Sequence, residues 1–231
     1  MLFLYVRHGD PIYSPDSLTE LGHKQAEALK LRLKTAGVKE IYSSTSTRAV
    51  MTATPTAEML GLPIKQLDWC HESHAWRDFS AMIDGKRKWS WTDPELTNFF
   101  NTKEIRALDK EWYDHPRFKE TNYKAGYQRI QNEADAFFES LGYRHRHDLN
   151  GYEVIEPNEK CVALFAHEGF GRLFLSAILD IPYPLYSTRY AISHTSVTAI
   201  YFSNKAEITR PTVLQHANDS HLFVAGLPTQ F

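Results

Sequence analysis

The sequence predicts an α/β protein built on a mostly parallel sheet and interrupted by one long, aromatic-rich insertion. Three observations predict it. Over residues 1–70, short apolar runs alternate with stretches of helical spacing, the order that builds parallel strands joined by crossover helices. That rhythm breaks between about 73 and 150, where Trp76, Trp89, Trp91, Phe99, Phe100, Trp112, Tyr113 and Phe118 sit among many charges. It resumes with Cys161-Val162-Ala163-Leu164-Phe165-Ala166, apolar throughout, as a strand buried on both faces is.

Taken in order, Leu2-Phe3-Leu4-Tyr5-Val6 reads as the first buried strand and stops at Arg7. A loop with Gly9, Pro11, Ser14 and Pro15 follows. Thr19 reads as the N-cap of a helix in which Leu21, Ala28, Leu29, Leu33 and Ala36 recur at helical spacing, and Gly37 is its stop. Ile41-Tyr42 is a second strand, 44–60 a second helix closed by Gly61 and kinked at Pro55, and 63–67 a third strand. Within the insertion, 95–113 and 122–141 read as helices and 143–155 as a hairpin around Asn150-Gly151. The insertion's aromatics are expected to form a small satellite core, with Trp76 the first candidate to wall a pocket. After the strand at 161–166 come a helix at 169–179, closing strands at 196–202 and 207–215, and an irregular tail at 227–231.

A chain of 231 residues with 42% hydrophobic and 23% charged residues is ordinary for a globular protein. A formal net charge of -2 supplies no basic field for nucleic acid or an anionic membrane surface. The apolar run before Arg7 is too short for a secretory signal or a membrane span. Cys70 and Cys161 form no pairing pattern, which fits a reducing, cytoplasmic setting.

The chemistry sits at strand ends. Arg7 and His8 follow the first strand, Arg48 opens the helix after the second, and His167 follows the strand at 161–166. Open parallel sheets bind ligands at the carboxyl ends of their strands, so these four side chains are expected in one crevice. Arginine clasps phosphate oxygens with paired donors. A neutral histidine can attack phosphorus, and a charged one can donate to the anion. Each piece alone has a plainer reading: a chance tripeptide, a solvated helix arginine, a hydrogen-bonded strand-end histidine. Their joint placement points to a phosphoryl group.

The motifs around these residues resemble those of the histidine phosphatase superfamily, phosphoglycerate-mutase-like branch. Arg7-His8-Gly9 matches its Arg-His-Gly. The run from Leu18 to Ala26 matches its Leu-Thr-x-x-Gly-x-x-Gln-Ala, and that from Ser43 to Ala53 its Ser-Ser-x-x-x-Arg-Ala-x-x-Thr-Ala. His167-Glu168-Gly169 resembles its second histidine motif, usually His-Gly-Gly, and His194-Thr195-Ser196-Val197-Thr198 a late turn and strand. The resemblance covers the core but not the insertion. It implies a single domain over 1–231: a three-layer α/β/α fold with a mostly parallel central sheet and a helical, aromatic-rich cap inserted at about 73–150. It also implies that His8 carries a transient phosphoryl group while Arg7, Arg48 and His167 hold its oxygens, with no metal or organic cofactor. In this family a glutamate after the third strand protonates the leaving group, within a pattern ending Leu-x-Glu. Cys70-His71-Glu72 stands there, which assigns Glu72 as the acid ahead of Glu168 and Asp10.

Departures from the family refine the expectation. Ser14 stands where the phosphate loop often has Asn and is assigned one hydrogen bond to phosphate; Pro11 replaces a Ser or Thr. The insertion lacks the Tyr-Gly-x-Leu and Arg-Arg-x-Tyr segments with which phosphoglycerate mutases hold a carboxylated substrate. The expected activity is therefore hydrolysis of a small phosphorylated metabolite. Two alternatives stand beside it, a phosphoglycerate or sugar-phosphate mutase and a non-catalytic phosphate-binding module. His71 and His74 lack further metal partners in sequence and read as loop or pocket histidines; Lys86-Arg87-Lys88 reads as a solvated turn that could touch an anionic substrate only if the insertion folds over the crevice. No nucleic-acid or membrane partner is expected, and nothing in the sequence signals an oligomeric state.

Overall fold

Alternating side chains on the central strands divide the core into two layers, one on each face of a six-stranded sheet. The computed structural model describes residues 1–230; Phe231 lies outside the described residues, and 227–230 carry no regular structure. In chain order the elements are β1 (Leu2–Arg7), β2 (Pro11–Tyr13), β3 (Asp16–Leu18), α1 (Glu20–Ala36), β4 (Glu40–Ser44), α2 (Thr47–Leu60) and β5 (Ile64–Leu67). Then come α3 (Glu72–Phe79), β6 (Ser80–Ile83), β7 (Lys86–Trp89), α4 (Pro94–Phe100), α5 (Lys103–Ala107), α6 (Tyr123–Ser140), β8 (Tyr143–Arg146) and β9 (Gly151–Val154). The chain closes with β10 (Cys161–Ala166), α7 (Glu168–Ile178), α8 (Tyr183–Ser187), β11 (Val197–Tyr201), β12 (Ile208–Thr209), β13 (Thr212–Asn218) and α9 (Ser220–Val224).

The main sheet has the order β13-β11-β1-β10-β4-β5. β1, β10, β4 and β5 are parallel, while β11 runs antiparallel to both β1 and β13. Leu4 and Val6 of β1, with Ala163 and Phe165 of β10, pack against Leu29 and Leu33 of α1 and Ala53 and Ala57 of α2. Phe3, Tyr5, Val162 and Leu164 face the other way, toward Phe137 and Phe138 of α6 and Phe170, Leu173 and Phe174 of α7. The result is the expected three-layer α/β/α arrangement with a mostly parallel sheet. No helix among the described residues is long and apolar enough to cross a membrane.

Local signals placed several elements correctly. Thr19 caps α1, its hydroxyl accepting from the Gly22 amide at 3.0 Å, and Gly37 ends the helix with φ of 76°. β10 has the expected bounds, and α6 and the β8–β9 hairpin fall where expected. Other expectations are corrected. The helix expected from 44 begins at Thr47, because Ser43 and Ser44 still pair in the sheet. The single helix expected over 95–113 is broken: Asn101 ends α4, the Thr102 hydroxyl caps α5, and Asp109 turns the chain with φ of 49° into 3-10 turns. The closing strand expected over 207–215 is two strands separated at Arg210-Pro211, where proline has no N–H to donate. β12 joins β8 and β9 in a second sheet, and β13 edges the first. The hairpin β6–β7, turning on Asp84 and Gly85 with φ of 51° and 71°, and helix α3 were not anticipated.

The aromatic segment is not a satellite. Trp112, Phe100, Phe118 and Tyr123 belong to the same buried cluster as Phe3, Tyr5 and Phe174. Trp112 lies 5.4 Å from Tyr183, and Phe138 packs edge-on to Phe3 at 5.1 Å and stacks on Phe202 at 4.9 Å. Because Phe138 is fully buried and seats α6 on the sheet, Phe138→Ala is expected to cost about 3–5 kcal/mol of unfolding free energy. Denaturant titration measures it; a change below about 1 kcal/mol would mean α6 is not held by this contact.

Candidate active site

β1 and β10 are adjacent and parallel, with Arg7 opposite Ala166. The residues after the two strands therefore emerge together, and the rings of His8 and His167 lie 5.2 Å apart. β4 flanks β10 on its other side and delivers Ser44 and, through α2, Arg48 to the same edge. Glu72 enters from beyond β5 as the first residue of α3.

The sequence motifs are tied to one another at this edge. The Gly9 amide donates to Thr52 Oγ1 at 3.0 Å, and the Asp10 amide to Gln25 Oε1 at 2.8 Å. A Cβ on Gly9 would sit 2.8 Å from the Gly22 carbonyl oxygen, and one on Gly22 2.3 Å from that of Asp10. The loop after His8 thus rests backbone to backbone on the first turn of α1, a contact that excludes any side chain at either glycine.

The protonation of both histidines follows from their partners. His8 Nδ1 lies 2.7 Å from the Gly9 carbonyl, which can only accept, so Nδ1 carries the proton and Nε2 keeps its lone pair. Burial first, then the charges of Arg7 and Arg48, hold His8 well below the usual imidazole range, so it is neutral. Arg48 Nη2 donates to His167 Nδ1 at 3.1 Å, which leaves the His167 proton on Nε2, 2.9 Å from Ser44 Oγ. Burial, with the positive charge of Arg48 adding repulsion, likewise keeps His167 neutral.

Each arginine is steadied by a carboxylate. Arg48 Nη1 bonds Asp16 at 2.7 Å, and this pairing overcomes burial to hold the Asp16 carboxyl below its usual range. Arg7 pairs with Glu168 at 2.9 Å and donates to the Ile192 carbonyl and, at 2.8 Å, to His194 Nε2. Burial and the Arg7 charge push His194 down to about 4. The Nε donors of Arg7 and Arg48 are buried and have no acceptor among the described residues. Donors held in that state suit an anion that supplies the missing oxygens.

Arg7, His8, Arg48 and Glu72 line one cavity of about 650 Å³, shared with Tyr13, His71, Trp76, Trp89, Trp91 and Glu168. Glu72 Oε1 accepts from the Phe170 amide at 3.1 Å, and its Oε2 lies 3.3 Å from His167 Nδ1. Glu168 has both oxygens engaged, by Arg7 and by Arg172 at 2.6 Å, and Asp10 accepts from the Thr19 hydroxyl at 2.6 Å. Those two carboxylates are occupied as positioning groups. Ser14 is not in this group: β2 and β3 form a hairpin, and Ser14 is exposed at its turn while Tyr13 reaches the cavity. Trp76 does wall the cavity. His74 pairs with Asp68 at 3.1 Å, and Lys86-Arg87-Lys88 lies on β7 outside the cavity lining. Asp16, Tyr13 and His194 were missed. Asp16 carries no local sign of an arginine partner thirty-two residues away, whereas His194 stood in a quoted motif and its polar type was a usable signal.

The model of the histidine phosphatase superfamily (branch 1) matches residues 4–82. No curated protein matches the chain. Similar solved structures include an Entamoeba histolytica phosphoserine phosphatase mutant in complex with phosphoserine, 15% identical, covering 96% of this chain and 98% of that one with a TM-score of 0.60. A mycobacterial glucosyl-3-phosphoglycerate phosphatase with VO3 is 19% identical over 94% and 99% of the two chains, with a TM-score of 0.60. An alpha-ribazole phosphatase from Shigella flexneri is 16% identical over 95% and 97%, with a TM-score of 0.59. The matched segment carries the superfamily's signature over the first third of the chain, and the fold is that of these solved structures.

His194 and His221 are both held down to about 4, by burial first and then by Arg7 and Arg32 respectively. An imidazole kept neutral in the fold takes up its proton on unfolding, so acid favours the unfolded chain. Stability from these groups is full above the unfolded value of about 6.5 and is lost as pH falls toward 4. Denaturation midpoints are expected to drop across that window; a flat profile from pH 7 to 4 would contradict the assignment.

Proposed function

We propose that this chain hydrolyses phosphomonoesters through a phosphohistidine on His8. The reading is carried by one observation: a neutral imidazole with a free Nε2 stands between two buried guanidiniums that hold unused donors. Arg7 and Arg48 clasp the phosphoryl oxygens, and the anion's charge favours a proton on His167, which then donates as well. His8 Nε2 attacks phosphorus, the bond to the ester oxygen breaks, and that oxygen takes a proton from the Glu72 carboxyl. Water, losing a proton to the Glu72 carboxylate, then attacks the phosphohistidine and releases phosphate.

The cavity wall favours hydrolysis over a mutase reaction on a carboxylated substrate. Arg7 and Arg48 are the arginines in its lining, no lysine joins them, and Trp76, Trp89 and Trp91 form much of the rest. Arg172 stands behind Trp91, 5.0 Å from its ring, and is bound by Glu168. A leaving group with an apolar or sugar face fits this wall better than a second carboxylate. The similar structures are a phosphoserine phosphatase, a glucosyl-3-phosphoglycerate phosphatase and an alpha-ribazole phosphatase, which supports the reaction class and leaves the substrate to this chain's own aromatic wall.

In a panel of sugar phosphates, nucleotides, phosphoglycerates and phosphopeptides, hydrolysis is expected with the wild-type chain and background rates with His8→Ala. Equal inertness of both proteins would leave a non-catalytic phosphate-binding module, and isomerisation of 3-phosphoglycerate without phosphate release would make it a mutase. Glu72→Gln is expected to slow alkyl phosphates by about 10²–10⁴-fold and aryl phosphates, whose leaving groups need less protonation, by much less. Equal losses for both ester types would move the acid elsewhere.

A further inference from the structure

A second cluster of ionisable side chains lies away from the cavity. His145 on β8 and His147 just beyond it are two residues apart, and both meet Asp135 of α6. His145 Nδ1 is 2.8 Å from Asp135 Oδ1, and His147 Nε2 is 2.7 Å from Asp135 Oδ2. The three potential donor atoms lie within 4.8 Å of one another. The far nitrogen of His145 is also engaged: Nε2 lies 3.2 Å from Asp180 Oδ2, and the other oxygen of Asp180 is bonded by Lys110. Tyr152 of β9 stacks under the His145 ring at 4.2 Å and 11°, so the imidazole is fixed in plane as well as in partners.

We propose that Asp135, His145 and His147 bind a divalent transition metal, zinc in the first place, as a structural tie between α6 and the β8–β9 hairpin. Two imidazoles and one carboxylate are a donor set for zinc or its first-row neighbours, and a poor one for the oxygen-seeking magnesium and calcium. The metal takes the place of the protons on His145 Nδ1 and His147 Nε2, which leave to solvent, and Asp135 supplies an oxygen. A carboxylate on the outer nitrogen of a ligating histidine is the recurrent means of fixing its tautomer and orientation, and Asp180 already occupies that position. A cavity of about 240 Å³ reaches His147 and Asp180 from the side of Lys110.

The site is separate from the proposed reaction. His167 precedes α7 and Asp180 follows it, and a helix of eleven residues spans about 16 Å. The proposal therefore stands whether or not His8 is a nucleophile.

The test uses the full, tag-free chain stripped with chelator. Equilibrium dialysis is expected to return one zinc per chain, and Co²⁺ to give the visible absorption of a tetrahedral site. His147→Ala, at a half-exposed position, and Asp135→Asn are each expected to weaken zinc binding by at least about 10-fold. Phosphatase turnover and the melting curve of metal-free His147→Ala should match wild type. Failure to retain zinc overturns the proposal. So does zinc that both variants still bind at wild-type affinity, or that is lost only on His8→Ala, which would place it among the cavity histidines.

Discussion

The parallel pairing of β1 with β10 is the contact on which the candidate site depends. It continues past the strand ends, where the His8 amide donates to the Ala166 carbonyl at 2.9 Å. That one register sets His8 beside His167 and leaves Arg7 facing Glu168 and His194. A slip of one residue would reverse the facing of every side chain on the strand and separate the two rings. The apolar alternation of Phe3 and Tyr5 against Leu4 and Val6 locks the register, because each pair fills a different layer of the core.

Charge then decides what the assembled residues can do. Two guanidiniums are buried beside three imidazoles, and the arrangement is tolerable only with the imidazoles neutral. A His8 imidazole with an unprotonated Nε2 is thus a consequence of burial first and of the two neighbouring arginines second. Asp16 pairs with Arg48 and Glu168 with Arg7, while the Nε donor of each arginine has no acceptor among the described residues. Desolvated donors of this kind gain most from an incoming anion.

Much of the fold could be read in short segments because its signals are short. Thr19 and Gly37 bracket α1 by capping chemistry alone, and Cys161–Ala166 has no polar residue to divide it. The insertion resisted such reading. Asp84-Gly85 is a strong turn signal, but Ser80–Ile83 and Lys86–Trp89 lack the apolar alternation that marks strands. The break at Asn101-Thr102 is a matter of capping inside a helical pattern. The aromatic residues looked like a core of their own because nothing local tells that Trp112 packs on Tyr183.

The same division runs through the site. By itself the sequence determined which chemistry was on offer: two arginines, two histidines and a glutamate at strand and helix ends, in motifs that resemble a phosphatase family. Residue type and strand-end position are local properties. The tertiary structure decided their partners. It put Ser14 at an exposed turn and brought Tyr13 to the cavity; it tied Glu168 to two arginines while Glu72 faced His167. It also made Asp16 a partner of Arg48 and His194 a partner of Arg7. Partner choice depends on distances between segments far apart in the chain, and those distances exist only once both faces of the sheet are covered.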